Sequence, residues 1–328
     1  YCRWRILGSM VDTSKKFCRI EFLHNFQTYN YRYAFGENVN DILYGIPVCE
    51  KNVMKYDIIK NQASFIDIHE EKDFAYTGGC YDKKNNCVWG IPRNANNLLK
   101  IDLLNDKITQ IPLKMDFKAN GIHGGHHYTG GLSNNTLYCP PRHTSNGILK
   151  IELDTFKTEI ISLDTIVNQN SHYSGTVMHS NGYIYFTPST GNYFVKFDPV
   201  YEEIYIIGDK FLGTVFGGVE IGDEIYCFSS VGVVVIDTIN DSISLIHKFE
   251  TKQTYYGTIL HPNGNIYSWN QHNQLVEYNI EKDECKILAT IYDEKNGPIY
   301  NAGGVVMSDG NIYFTPCQGR FLMRAVFE

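Results

Sequence analysis

The sequence predicts an all-β chain: a seven-bladed β-propeller with four-stranded antiparallel blades, its ring closed by an N-terminal strand that joins the C-terminal blade. Three observations predict it. A phrase of the form Asn181-Gly182-Tyr183-Ile184-Tyr185-Phe186-Thr187-Pro188, followed by Phe194-Val195-Lys196-Phe197-Asp198, recurs along the whole chain. Aligned on the apolar residue before the Tyr-type position, its copies fall at Leu43, Val88, Leu137, Ile184, Ile225, Ile266 and Ile312, between 41 and 49 residues apart. A period in the forties that holds several short strands is the mark of propeller blades. The third observation is compositional. Aromatic residues make up 14% of the chain, with 24 Tyr and 18 Phe, which favours strands, and no amphipathic helical period stands out.

Each unit contains four strands. The innermost, A, is aromatic and glycine-rich, as in Tyr76-Thr77-Gly78-Gly79 or Tyr173-Ser174-Gly175-Thr176, because inner strands crowd round a common axis. Strand B carries the aligned apolar residue and ends four residues later at Pro47, Pro92, Pro141, Pro188, Ser229, Asn270 or Pro316. Proline cannot donate to a sheet ladder, so this column marks the end of the strand. Strand C closes on Asp57, Asp102, Glu152, Asp198, Asp237 or Asn279, whose side chains suit the hairpin turn into strand D. Blades begin near residues 31, 73, 126, 172, 214, 254 and 300, and residues 1–328 form a single domain.

The last unit runs out of chain after strand C at Phe321 to Phe327, so its strand D is expected from the N-terminus, at about residues 16–23. Such a join leaves no open edge between the first and last blades. Residues Trp4 to Asp12 also read as a C-type strand and compete with Phe321 to Phe327 for the same place.

Composition narrows the function classes. The net charge of −7 comes with no basic run, which argues against nucleic acid. No apolar stretch approaches the roughly 20 residues of a membrane-spanning helix. The nine cysteines are odd in number and scattered singly, without a CxxC pair; they read as reduced thiols, which points to the cytoplasm. Because the chain begins at Tyr1, a processed or secreted product stays open.

The phrase Ile184-Tyr185-Phe186-Thr187-Pro188 with Phe197-Asp198 resembles blades of the seven-bladed propeller superfamily of Kelch, NHL and streptogramin-lyase type. It is most similar to uncharacterised propeller proteins of protists and large DNA viruses. The resemblance covers nearly the whole chain and implies architecture, since the shared residues are the structural ones. The lyases imply a His with acidic metal ligands in late blades. His272 lies in a late blade, but no matching pair of acids aligns with it.

Strand order places the D-to-A and B-to-C connections on one face. That face receives His123, His126, His127 and Tyr128 before the third A strand, His172 and Tyr173 at the fourth, and His143 and His272 after B strands. It also receives Arg93 and Arg142, each directly after the aligned Pro, together with Tyr255, Tyr300 and Arg320. The densest stretch is Gly121 to Tyr128, where glycines permit close backbone approach and imidazoles serve as ligands or as acid and base. His127 and His172 occupy equivalent positions of adjacent blades. The favoured function is therefore a non-enzymatic recognition or scaffold propeller, binding a protein or glycan partner through this face without a cofactor. The alternative is a lyase or hydrolase acting on an anionic sugar or small molecule. There His127, His172, Tyr128 and Tyr173 would do the acid–base work, with a divalent metal held by His127 and His172.

Overall fold

The computed structural model describes residues 18–70, 72–114, 129–142, 147–163, 172–190, 193–291, 300–301 and 303–327. Among them every regular element is a strand, and the strands form seven antiparallel sheets. Six sheets run A–B–C–D in chain order; in blade 4 these are Tyr173–Met178, Ile184–Pro188, Phe194–Asp198 and Glu203–Ile207. The register follows the aligned columns. Ile184 pairs with Phe197, which pairs with Ile204, so the alternate residues of one blade share a face.

The seventh sheet is the closure. Its inner part is Val305–Val306, then Ile312–Phe314, then the long strand Pro316–Phe327. The N-terminal strand Cys18–Tyr31 pairs antiparallel with that long strand, Cys18 opposite Phe327 and Asn25 opposite Phe321. Residues 321–327 thus hold the third place in blade 7; residues 4–12 lie outside the described residues. Arg324 fastens the seam. It pairs with Glu21 and donates to the Tyr313 hydroxyl at 3.0 Å.

The core is divided rather than central. Seven apolar clusters, one for each pair of neighbouring sheets, carry the buried side chains. Between blades 3 and 4 Tyr138, Ile148, Ile184, Phe186 and Phe197 pack together. Between blades 6 and 7 Trp269, Leu275, Phe314 and Met323 do so. The Asp column performs the turn role its position suggests. Asp57 accepts from the amides of Ile59 and Lys60, Asp198 from Val200 and Tyr201, and Asp237 from Ile239 and Asn240. Two residues earlier, C-strand lysines reach across to the next blade's C-to-D turn. Lys55 meets Asp106 at 2.6 Å, Lys150 meets Glu202, and Lys196 meets Asp241.

Inner strands meet backbone to backbone. A Cβ on Gly175 would lie 2.2 Å from the Gly217 amide nitrogen of the next blade. A left-handed residue recurs in the A strands at Gly78, Gly217, Gly257 and Gly303, and blade 1 fills the same slot with Phe35 at φ 52°. Gly175→Ala is expected to cost about 1–3 kcal/mol through forced displacement of blade 5, read as a lowered midpoint in urea unfolding. A midpoint equal to wild type would show that the strands have room to part.

One polar residue interrupts an otherwise apolar inner column. Opposite the Tyr-type position the A strands carry Cys80, Gly131, Val177, Val219, Ile259 and Val305, but blade 1 carries Glu37. Its side chain packs over Gly79, and burial pushes its carboxyl up to about 7. The native state therefore favours the protonated acid. As pH rises from about 4.5, the unfolded chain ionises first, so stability falls until about pH 7 and is flat above it. The full loss is on the order of 3 kcal/mol. Glu37→Gln should raise the unfolding midpoint at pH 8 relative to wild type and leave the two proteins close together near pH 4.5. Equal midpoints at pH 8 would mean the carboxyl is solvated.

Candidate functional site

The residue that follows the Pro-type position opens the B-to-C connection in blades 1 to 6 and lies near the start of the long strand in blade 7. Round the ring this column reads Val48, Arg93, Arg142, Ser189, Ser230, Gln271 and Cys317. Its two halves differ in chemistry, and each half builds a separate feature.

The first half, from blade 7 through blade 3, is basic over an apolar floor. Ala34 and Val48 are buried there, with Phe35, Cys49, Phe74 and Cys317 packed against them. The Arg93 guanidinium lies 4.5 Å from the centre of the Phe74 ring, a stacked geometry that suits its flat, weakly hydrated charge. Arg93 and Arg142 both act on the thiol of Cys317, opposing the burial that pushes it up to about 12. The two arginines occupy the equivalent slot of adjacent blades, each directly after the aligned proline. Arg320, three residues beyond Cys317, stands with its guanidinium 5.3 Å from the Phe321 ring. Arg32 buttresses the group from below and is itself buried. It donates to the Gly319 carbonyl at 3.1 Å and the Phe26 carbonyl at 3.0 Å and pairs with Glu50.

The second half, blades 4 to 6, is neutral and hollow. Ser189, Thr190, Phe211 to Thr214, Ser230, Lys252 to Thr254 and Gln271 line a cleft of about 460 Å3.

The structure distributes the other sequence-derived candidates unevenly. His172 is half-buried before strand A of blade 4, its Nδ1 2.8 Å from the Thr190 hydroxyl. It therefore borders the cleft. His272 is exposed in the blade 6 turn, its Nε2 3.3 Å from Gln271 Nε2. Tyr173 and Tyr255 have 0% and 2% of their surface exposed and belong to the cores between blades 3 and 4 and blades 5 and 6. Burial drives the Tyr255 phenol far above its usual range, and Gln253 donates to it at 2.6 Å. These rings pack blades, as the Tyr column does elsewhere. Tyr300 pairs through its backbone with Gln318. His123, His126, His127, Tyr128 and His143 lie outside the described residues. Among the described residues no group of three His, Cys, Asp or Glu side chains gathers to hold a metal.

Sequence reasoning passed over Arg32, Cys49, Phe74 and Cys317. Arg32 carried a signal, an arginine directly before the first A-strand tyrosine. Phe74 carried none, since its place beside Arg93 depends on the path of a D-to-A connection.

No family model matches the chain, and no curated protein sequence does. Solved structures do match. Virginiamycin B lyase from Staphylococcus aureus, in a catalytically inactive form with quinupristin, is 13% identical with a TM-score of 0.77, over 95% of this chain and 100% of that one. The extracellular domain of a one-component system from B. thetaiotaomicron is 16% identical, TM-score 0.66, over 91% of this chain and 40% of that one. A chain of the mitotic checkpoint complex is 10% identical, TM-score 0.69, over 99% of both. At such identities the likeness is one of fold. Seven propeller blades are common to this chain and a lyase, and the fold is not specific to the chemistry.

The eight described cysteines are free, and burial raises every one of their thiols. The thiolate is the reactive form. A disulfide-exchange reagent at pH 8 should therefore find no more than one fast thiol in the native protein and all nine after unfolding. Two or more fast native thiols would show that the arginines outweigh burial at Cys317 or Cys49.

Proposed function

We propose that this protein is a recognition propeller, and that the basic half of its mouth receives a carboxylate-bearing group of a protein or glycan partner. The observation that carries this reading is the Arg93 guanidinium held 4.5 Å over the Phe74 ring on an apolar floor, with Arg142 in the equivalent slot of the next blade and Arg320 on the long strand of blade 7. Guanidinium groups presented over an apolar floor favour planar anions, because the charge-assisted hydrogen bonds form where water competes less. The protein's own net charge of −7 sharpens the local contrast, since the basic side of the mouth is set in an acidic molecule.

A lyase or hydrolase acting on an anionic sugar is the second reading. It is supported by the fold shared with virginiamycin B lyase and by His172 at the edge of the cleft. In that case an imidazole would take a proton α to the carboxylate, the C–H electron pair would form a ring double bond, and the glycosidic oxygen would leave with the C–O pair and take up a proton from solvent as a hydroxyl.

One experiment addresses both. An oligoglutamate peptide and an oligogalacturonate are offered to wild type and to an Arg93→Glu/Arg142→Glu variant by calorimetry, and the oligogalacturonate is followed for unsaturated product. Binding without turnover, weakened about 100-fold or more in the variant, is the expected result. Binding unaltered by charge reversal removes the arginine mouth from the reading. Accumulation of unsaturated sugar replaces recognition by catalysis.

A further inference from the structure

The cleft between blades 4, 5 and 6, in which Lys252 is the one charged side chain among the described lining residues, has a shape fixed by its own hydrogen bonds. Five segments make it: the B-to-C connections of the three blades and the two D-to-A loops that join them. They are tied to one another by hydrogen bonds that hold the cleft's shape. The Thr214 amide donates to Ser230 Oγ at 2.9 Å, and the Ser230 amide returns a bond to the Thr214 carbonyl at 2.9 Å. The Thr254 amide donates to Gln271 Oε1 at 3.1 Å, and the Gln271 amide to the Thr254 carbonyl at 2.9 Å. Gln253 is spent internally, on Tyr255 and Asn270. Lys252 reaches the Leu212 carbonyl at 3.3 Å, so the second loop leans on the first.

What this bracing leaves over defines the occupant. Among the described residues the Thr214 hydroxyl is buried without a hydrogen-bond partner, a state that costs about 1–3 kcal/mol unless something completes it. Among the described residues the side-chain amide nitrogen of Gln271 meets His272 Nε2, at 3.3 Å. Thr190 adds a hydroxyl held toward His172 at 2.8 Å. Among the described residues no carboxylate lines the cleft, and Lys252 is its sole cationic side chain. The apolar contribution comes from Leu212, 70% exposed, and from Phe211, whose ring is fixed edge-on against Phe194 at 5.3 Å. Hydroxyls and an amide over a limited apolar wall, in a volume within the ~300–1,000 Å3 of small-ligand sites, match a molecule that carries many hydroxyls and one weakly polar face.

We infer that this cleft is a subsite for a neutral saccharide of one or two pyranose units, bound through Thr190, Thr214 and Gln271 with its apolar face on Phe211 and Leu212. It rests on the reading of this face as a recognition surface, and it narrows the partner toward a glycan. It does not require the arginines, because no Arg is among the described residues that line the cleft.

The test uses saturation-transfer NMR on the whole chain with lactose, cellobiose, mannobiose and diacetylchitobiose at ~1 mM, near the affinity of a weak single-site ligand. At least one disaccharide should show transfer, and titration should give a Kd raised about tenfold by Thr214→Val/Gln271→Ala and unchanged by Arg93→Glu/Arg142→Glu. Gln271→Ala alone, a surface-turn change, supplies the same direction of effect if the double variant fails to fold. No transfer with any of the four sugars overturns the inference. Binding that survives Thr214→Val/Gln271→Ala but is lost on reversing the arginines also overturns it, by placing the sugar at the basic mouth. Failure of the wild type to bind oligoglutamate or oligogalacturonate, with its disaccharide binding intact, would defeat the arginine reading and leave the cleft standing.

Discussion

Everything in this molecule waits on the pairing of its two ends. The strand that completes blade 7 comes from residues 18–31, and the Glu21–Arg324 contact joins residues 303 positions apart. Without it the strand at 321–327 is an open edge, a template for another chain. The entropic cost of closing so long a loop grows only logarithmically, about 0.6 kcal/mol for each doubling, so length itself is no obstacle. The penalty is kinetic: contacts of this separation form late. Once formed, closure converts seven pairwise cores into a cycle, in which no blade can leave without exposing two apolar interfaces at once. Loops on such a ring sit on a rigid rim, and a shallow binding face needs that rigidity.

The fold was legible because its constraints repeat. A proline near the end of most B strands, an aspartate at most C-to-D turns and a glycine where inner strands meet are the same physical demand met again and again. Repetition separates these demands from accident. The Asp column is the clearest case, since Asp57, Asp198 and Asp237 bind their turn amides in the same way. The lysine two residues earlier was also in plain view at Lys55, Lys150 and Lys196, but its partner sits in the next unit, so alignment within a unit hides the bond. Closure was legible for a different reason, a missing fourth strand at one end and a spare one at the other.

The site was legible only in part, and the reason is the same logic reversed. Tyr173 and Tyr255 looked available because they begin strands at the mouth, yet they belong to a repeated column, and repetition marks packing. Glu37 and Phe35 break their columns, and each sits in a costly state: a carboxyl driven up to about 7 and a side chain at positive φ. Arg93 and Arg142 stood out in the sequence because they share one slot. Cys317 and Phe74 were missed because what they do depends on which connections cross above the floor.

The slot after the Pro-type position therefore says more about function than any motif in the chain. Its structural duty differs from blade to blade: Val48 and Cys317 fill the apolar floor, while the other copies follow the end of strand B. Its residue varies, and the variation is ordered: Cys317, Val48, Arg93 and Arg142 on one arc, Ser189, Ser230 and Gln271 on the other. A random surface would mix charge and neutrality round the ring. Two neighbouring guanidinium groups beside an arc of hydroxyls and an amide instead give one face two chemistries. A ligand that engages both must be acidic at one end and hydroxylated at the other. Because the rim is held by closure, its affinity would come from preorganised groups rather than from a moving lid.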